Sequence, residues 1–333
     1  MADPLVSVLI PTYRRPHYLR QALDSAVRQT YKSLQIIVRD NASADQTPEV
    51  VKSFDDPRIE FLLAPKTGSA WENGIEIIKR IRGKYRVTLC DDDVLGDTYV
   101  ETLVTLLERD PSILAAYGAT HVIDADGTVI RKHVPLQTYT VDASKIIQAW
   151  CGGSLPLATG INCVCPTSFM RDLGETYKFP DGHNSDNAVF MAASIRGKVL
   201  FTDQCVFYYR IHGQNAETSH KSELRAKGDQ AFLEFLDREV HAPGNVGLAK
   251  DEWPRARARL RTMLAGAYFH HLLRYRLEKD NLVQLIWDMT VRPTQTYGIG
   301  RARTLLSRNR YALRGEMKRR IMSRFRKVSR TVS

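Results

Sequence analysis

Between Tyr85 and Asp97 the chain reads YRVTLCDDDVLGD, an apolar run ending in three consecutive aspartates, Asp91, Asp92 and Asp93. Adjacent carboxylates repel, and loading them onto a buried strand end adds a desolvation cost. Chemistry that justifies the cost is metal binding. Two neighbouring carboxylates ligate Mg²⁺ or Mn²⁺, hard cations that take oxygen donors. Such a cation removes the repulsion and neutralises a diphosphate, making it a better leaving group. The competing reading is a solvated acidic loop or a helix start, where aspartate is also favoured. Asp40 ends a second apolar run, in IIVRDNASADQT. Its carboxylate suits the N3–H of uracil or thymine, or donors on other bases. Equally, it suits an Asx turn within DNAS.

These residues need elements to hold them. VSVLI (6–10) reads as a buried strand, followed by PHYLRQALDSAVRQT with Leu19, Ala22, Leu23, Ala26 and Val27 at helical spacing. LQIIVRD, RIEFLLA, YRVTLC and LAAYGATHVID read as further strands. ADQTPEVVKSF, GSAWENGIEIIKRIRG (ended by Gly83) and DTYVETLVTLLERD read as the helices between them. Strand–helix repetition predicts an α/β fold, a mostly parallel sheet with helices on both faces. Ligands of such sheets bind beyond the carboxyl ends of the strands. That brings PTYRRP, DNASAD and CDDD to one crevice. The stretch from about 125 to 220 is less regular: DADGTV suggests a hairpin turn and CGGSLPLATG a loop. From 222 to 290 the pattern is helical. The reading therefore divides the chain into residues 1–220, holding the site, and a helical region, 221–333.

Charge is distributed unevenly. Of 48 Lys+Arg and 37 Asp+Glu, 13 bases and one acid fall at or after residue 291, leaving the rest near neutral. Within that tail, Leu313, Met317, Ile321 and Phe325 recur every four residues among arginines and lysines. The stripe over 310–328 reads as an interfacial helix for an anionic membrane surface. Its rivals are a helix packed on the body and, less favoured, a nucleic-acid patch. No run of 18 apolar residues exists, so no transmembrane helix is expected. MADPLVSVLI has no basic stretch before its apolar run, so no secretory leader is expected. With an odd count of five cysteines, this points to reduced thiols and a cytoplasmic location, peripheral on the inner face of the cell membrane if the tail binds lipid. The pair Cys163 and Cys165 reads as ordinary buried thiols.

Taken in order, VSVLIPTYRRPHYLRQALDSAVRQTY, LQIIVRDNASADQT and LCDDDVL resemble the inverting family-two glycosyltransferases of GT-A fold, strongly over about residues 5–125 and more weakly to about 215. The resemblance implies that Asp40 meets the nucleotide base and that Pro11, Thr12 and Tyr13 border the nucleotide. Asp91 and Asp92 would lie along the nucleotide sugar, and Asp93 would hold Mn²⁺ or Mg²⁺. Two registers of the acidic motif are possible, one counting Cys90 as its first position and one starting at Asp91. The family's catalytic base opens a later helix, which falls on Asp186 in NSDNAVFMAAS, with Ser185 in place of the usual Glu. Asp181 is a rival base, and helix capping is the alternative role for Asp186. YRIHGQN resembles a further family stretch; it implies His212 at the metal or diphosphate and Arg210 on a phosphate oxygen. Glu72 stands where the family often has Arg before Asn73.

The function implied is metal-dependent, inverting sugar transfer from a nucleotide sugar, UDP-linked by preference, to an acceptor hydroxyl. A carbohydrate or lipid-linked saccharide acceptor would suit both the family and the basic tail, as in bacterial surface polysaccharide or glycolipid assembly. Two rivals stand beside it. A sugar nucleotidyltransferase would use a similar sheet and metal, but the Gly-rich loop common after its first strand is replaced here by PTYRRP. A non-catalytic nucleotide-sugar-binding scaffold would share the pocket without the base.

Overall fold

The computed structural model describes residues 2–152, 162–174, 179, 182–212, 222–272 and 297. Its first stretch alternates as the sequence pattern requires: β1 (Val6–Thr12), α1 (Pro16–Val27), β2 (Leu34–Asp40), α2 (Thr47–Lys52), β3 (Ile59–Leu63), α3 (Ala70–Ile78) and β4 (Tyr85–Thr88). Then follow β5 (Val94–Leu95), α4 (Tyr99–Arg109), β6 (Ile113–Ile123), β7 (Val129–His133), β8 (Tyr139–Val141) and α5 (Ala143–Gly152). The remainder is β9 (Cys165–Pro166), α6 (Thr167–Leu173), α7 (Ser185–Arg196), β10 (Lys198–Arg210), α8 (Ser222–His241) and α9 (Trp253–His271).

β1 and β2 are buried at every position except Pro11 and Arg39, the mark of parallel strands covered on both faces. They lie in a five-stranded sheet of order β3-β2-β1-β4-β9, parallel except for the short edge strand β9. The order reverses between β1 and its neighbours β2 and β4, opening a crevice beyond their carboxyl ends. Helices cover both faces. Leu19 and Leu23 of α1 and Leu103 and Leu107 of α4 pack with Val6, Val8 and Ile10. On the other face Ile77 of α3 meets Leu9 and Ile37.

α3 is shorter than its sequence pattern suggests. Ser69 and Glu72 form a capping box at its start, but it ends at Ile78, short of Gly83. Gly83 is not a helix stop. A Cβ there would lie 2.6 Å from both the Ser7 nitrogen and the Tyr85 oxygen, so glycine is required by close backbone approach.

The strand–helix alternation does not continue into a single sheet. β6 pairs in parallel with β10, far downstream, in a second sheet of order β5-β10-β6-β7. Reciprocal backbone hydrogen bonds between Ala116 and Val164 link β6 to the segment leading into β9. The hairpin suggested by DADGTV joins β6 to β7, with Gly127 at φ 90° in its turn. α8 and α9 pack into the same apolar cluster as α7: Phe232, Phe235 and Leu236 with Phe190 and Ile195, alongside Trp253, Leu260 and Leu264. All five cysteines are free thiols, with Cys163, Cys165 and Cys205 buried. Among the described residues no helix is long and apolar enough to cross a membrane. The basic stripe 310–328, Asp181 and most of CGGSLPLATG lie outside the described residues.

β5 is only two residues long, yet it anchors the acidic turn. Val94 and Leu95 pair antiparallel with Tyr208 and Phe207, and the Gly96 amide donates to Val206 O at 2.8 Å. A Cβ on Gly96 would sit 2.7 Å from that same carbonyl oxygen, which cannot retreat without breaking the pair. Gly96→Ala should therefore cost roughly 1–3 kcal/mol of stability, read as a drop in chemical-denaturation midpoint at unchanged slope.

Candidate active site

The carboxyl ends of β1, β2 and β4 are stitched into one rim. The Asn41 amide donates to Thr12 O at 3.0 Å, and the Arg14 amide to Ser43 Oγ at 2.8 Å. The described non-glycine residues with positive φ are Arg14, Ala42, Ala44 and Asn184. Three lie in PTYRRP and DNASAD, and the fourth directly precedes α7. Backbone strain of this kind persists where surrounding contacts impose it, and it concentrates at functional sites.

Asp40 ends β2 with 1% of its surface exposed. Oδ1 accepts from the Ser43 amide at 3.1 Å and from the Ser43 hydroxyl. Oδ2 is buried and has no partner among the described residues. The turn reading accounts for one oxygen of Asp40, and the other is an unsatisfied acceptor among the described residues. Leaving a buried acceptor unpaired is costly, and a donor such as a base N–H would relieve it.

The three aspartates face three ways. Asp91 turns toward β1: its Oδ2 accepts from Thr12 Oγ1 at 2.8 Å and the Tyr13 amide at 3.2 Å. Asp92 points to Arg15 and His212; its Oδ2 lies 2.8 Å from Arg15 Nη1 and 2.9 Å from His212 Nε2. Asp93 Oδ1 accepts from the Arg210 amide at 2.8 Å. Arg15 also donates to Asp91 Oδ1 at 3.1 Å, so a single guanidinium bridges two of the three. Thr12, Asp91, Asp92 and Asp93 are all buried, while Tyr13 is half exposed on the rim and Pro11 is partly buried beside it.

Burial and the Asp92 charge push the Asp91 carboxyl up to about 6, although Arg15, Thr12 and the Tyr13 amide pull the other way. Burial, reinforced by Asp92, lifts Asp93 well above the usual carboxylate range against the Arg210 amide. The Cys90 thiol is raised by loss of solvent and by the aspartates, so it stays protonated. For Arg15 burial acts downward, but the fields of Asp91 and Asp92 outweigh it and raise the guanidinium.

Ligand atoms of Cys90, Asp92 and Asp93 all lie within 4.8 Å of one another. Two carboxylates suit Mg²⁺ or Mn²⁺, whereas a protonated thiol is a poor ligand for either. The donor chemistry therefore fits a hard divalent cation held through Asp92 and Asp93. His212 reaches this cluster through Asp92, so it stands beside the cation site.

Arg210 serves the protein interior. It is 1% exposed, and its guanidinium donates to Asp92 O (2.7 Å), Asp124 O (3.2 Å), Ala125 O (3.1 Å) and Gln21 Oε1 (2.7 Å). Tyr18 lies beneath it, with the Arg210 Cζ 4.9 Å from the ring centroid and the His212 ring 5.1 Å away. Arg210 thus ties the acidic turn to α1 and to the β6–β7 hairpin. Residue 72 is likewise engaged locally: Glu72 caps α3, and buried Asn73 is held by Arg39.

Asp186 lies in the first turn of α7, partly exposed, with Oδ1 accepting from the Asn187 amide at 2.8 Å. Ser185 beside it is 3% exposed, and its hydroxyl has no partner among the described residues. The turn before α7 reaches α3, where a Cβ on Gly182 would be 3.4 Å from Trp71. α3 begins next to Gly68, whose amide and carbonyl are both bonded to Asn41. The α7 turn therefore adjoins the segment that borders the Asp40 rim.

Sequence reasoning overlooked Arg15, Tyr18 and Gln21. Arg15 was legible in principle, as a cation one strand away from a buried acidic turn. Tyr18 and Gln21 become visible only when β10 is paired with β5.

The site thus combines a parallel sheet with a switch-point crevice, a buried Asp40 oxygen without a partner among the described residues, and a cluster of two carboxylates and a thiol. A profile described as "Glycosyl transferase family 2" matches residues 7–174, and the chain belongs to that family. An uncharacterized glycosyltransferase of Rickettsia prowazekii is 29% identical over 245 residues, covering 71% of this chain and 74% of that one. The UDP-Glc:α-D-GlcNAc-diphosphoundecaprenol β-1,3-glucosyltransferase of Escherichia coli is 24% identical, covering 69% and 86%. Other relatives are longer: the chain spans 34% of an uncharacterized glycosyltransferase of Rickettsia bellii. Among solved structures, Staphylococcus aureus TarS 1–349 in complex with UDP-GlcNAc superposes with TM-score 0.54 at 14% identity, over 92% of this chain and 91% of that one. A Pyrobaculum calidifontis mannosyltransferase in complex with GDP-Man and Mn²⁺ gives 0.52 at 15%, over 93% and 88%. The fold is GT-A, with a helical C-terminal part.

Arg15→Gln removes the counter-ion of two buried carboxylates. In ligand-free protein it should lower stability by roughly 2–3 kcal/mol at pH 7.5. Arg15 depresses the Asp91 pKa, so its contribution is present while Asp91 is ionised, above about 6, and is lost as pH falls through that value. The gap in unfolding free energy between variant and parent should therefore narrow at pH 5.

Proposed function

We propose that the chain is a divalent-metal-dependent, inverting glycosyltransferase that uses a UDP-sugar and an acceptor hydroxyl. The observation that carries this reading is the unsatisfied Asp40 Oδ2 on the same rim as the Asp92–Asp93 cluster. One end of the crevice asks for a base donor and the other for a cation with its phosphates. UDP-GlcNAc in the TarS complex and Mn²⁺ in the mannosyltransferase support the choice of ligands.

The residues divide the work as follows. Asp40 accepts the uracil N3–H. Pro11, Thr12 and Tyr13 wall the nucleotide, and Asp91 fixes that wall through the Thr12 hydroxyl and the Tyr13 amide. Asp92 and Asp93, with His212 alongside, would hold Mn²⁺ or Mg²⁺, which when bound neutralises the charge gathering on the diphosphate. Asp186 takes the proton of the acceptor hydroxyl as its oxygen bonds the anomeric carbon. The bond from that carbon to the diphosphate oxygen breaks on the opposite face, and its electron pair leaves with the nucleotide. Configuration inverts, and no covalent enzyme intermediate forms.

The acceptor proposed is a carbohydrate or a lipid-linked saccharide, in surface polysaccharide or glycolipid assembly. The E. coli relative, named for a lipid diphosphate acceptor, supports it. So does the basic amphipathic stretch 310–328, which would hold the enzyme to an anionic membrane surface from the cytoplasmic side.

The donor half is tested by melting temperature with UDP, TDP, GDP or ADP, each with and without Mn²⁺. At a hundred times Kd, a ligand of the folded state stabilises by about 2.7 kcal/mol. UDP should give the largest shift, only with Mn²⁺; Asp40→Ala and Asp93→Ala should each abolish it. A larger shift with GDP would replace the donor, and none with any nucleotide would overturn the reading. The catalytic half is tested by Asp186→Asn. It should lower kcat about 10²–10⁴-fold while leaving the UDP shift intact.

A further inference from the structure

The turn that presents Asp186 is held by a buried polar lock outside the nucleotide crevice. Asp229 of α8 is 2% exposed. Its Oδ1 accepts from Asn184 Nδ2 at 2.6 Å and is 2.9 Å from His183 Nε2. Its Oδ2 accepts from the hydroxyl of Tyr297, which is fully buried. Burial and the Asp229 charge raise the Tyr297 phenol well above its ordinary range, so it remains a donor.

Three features of this turn require support from outside α7. Asn184 occupies the N-cap with φ 66° and ψ 6°, a left-handed conformation that is strained for a residue with a side chain. Its side chain does not cap the helix; the amide nitrogen goes to Asp229, and Oδ1 accepts from Asn187 at 2.9 Å. The backbone of α8 is pressed against the turn, where a Cβ on Gly228 would be 2.8 Å from His183 Cβ and 3.1 Å from its carbonyl oxygen. Gly228 permits this approach, and Asp229 uses it.

We propose that Asp229 is a positioning residue for Asp186: it fixes the left-handed turn at Asn184, which sets where the first turn of α7 directs the carboxylate. Tyr297 completes the lock, joining the chain beyond α9 to the geometry of proton removal. The inference rests on Asp186 being the base. Asp229 touches no donor-binding residue named above, so the donor site is unaffected by its loss.

The test compares the full chain with Asp229→Asn, Tyr297→Phe and Asp186→Asn, measuring kcat against pH, acceptor KM and the UDP–Mn²⁺ melting shift. Misplacing a catalytic group by about 1 Å costs on the order of 100-fold, so Asp229→Asn should lower kcat by about that much. It should displace the acid limb of the kcat–pH profile and leave the UDP–Mn²⁺ shift unchanged. Tyr297→Phe leaves the bonds to His183 and Asn184 in place; a smaller kcat loss of about threefold to tenfold with the same displaced limb is expected. If Asp229→Asn folds poorly, Tyr297→Phe decides alone. Unchanged kcat and an unmoved acid limb in Tyr297→Phe, or in a folded Asp229→Asn, would overturn the positioning role, even with a lower melting temperature. The base assignment fails separately, if Asp186→Asn keeps kcat and its acid limb.

Discussion

Three carboxylates at the end of one buried strand set the terms for the rest of this structure. Mutual repulsion and lost hydration both oppose folding there. The protein answers by giving each carboxylate its own partners: Thr12, the Tyr13 amide and Arg15 for Asp91, Arg15 and His212 for Asp92, the Arg210 amide for Asp93. Those partners come from β1, from the start of α1 and from the end of β10. Satisfying the triplet therefore requires both sheets to be present and in register. The compensation is incomplete, since Asp91 and Asp93 remain raised, and the donor set would suit a divalent cation.

That constraint explains why so small an element as β5 matters. Its two residues follow the triplet directly and pair with Phe207 and Tyr208, which places Arg210 and His212 over the acidic turn. Arg210 then directs its guanidinium to three carbonyl oxygens and Gln21. A buried arginine with several acceptors is stiff, and that stiffness holds the acidic turn in place.

Much of the first lobe was legible because local rules agree there. Continuous β-branched runs, helical spacing in α1 and α4, and polar segments at strand ends all point to one parallel sheet with its crevice at PTYRRP, DNASAD and CDDD. The errors arise where distant segments decide. GSAWENGIEIIKRIRG reads as a helix up to Gly83, yet Gly83 is dictated by contact with β1. That four acceptors from three distant segments surround Arg210 is likewise invisible in a sequence. Asp40 reads as either turn or ligand, and the structure assigns one oxygen to the turn and leaves the other unpaired. Asp229 carries no motif at all; its meaning comes from Gly228 letting α8 touch His183.

Separation along the chain also becomes separation in time. The Arg210 amide and Asp93 are 117 residues apart, and parallel pairing of β6 with β10 cannot begin until β10 exists. On a ribosome adding about 5–20 residues each second, that interval is roughly 6–23 s. Throughout it, β1 to β4 can assemble while the acidic turn has Arg15 but neither Arg210 nor His212. The nascent lobe therefore meets its electrostatic difficulty before the partners that ease it have been made.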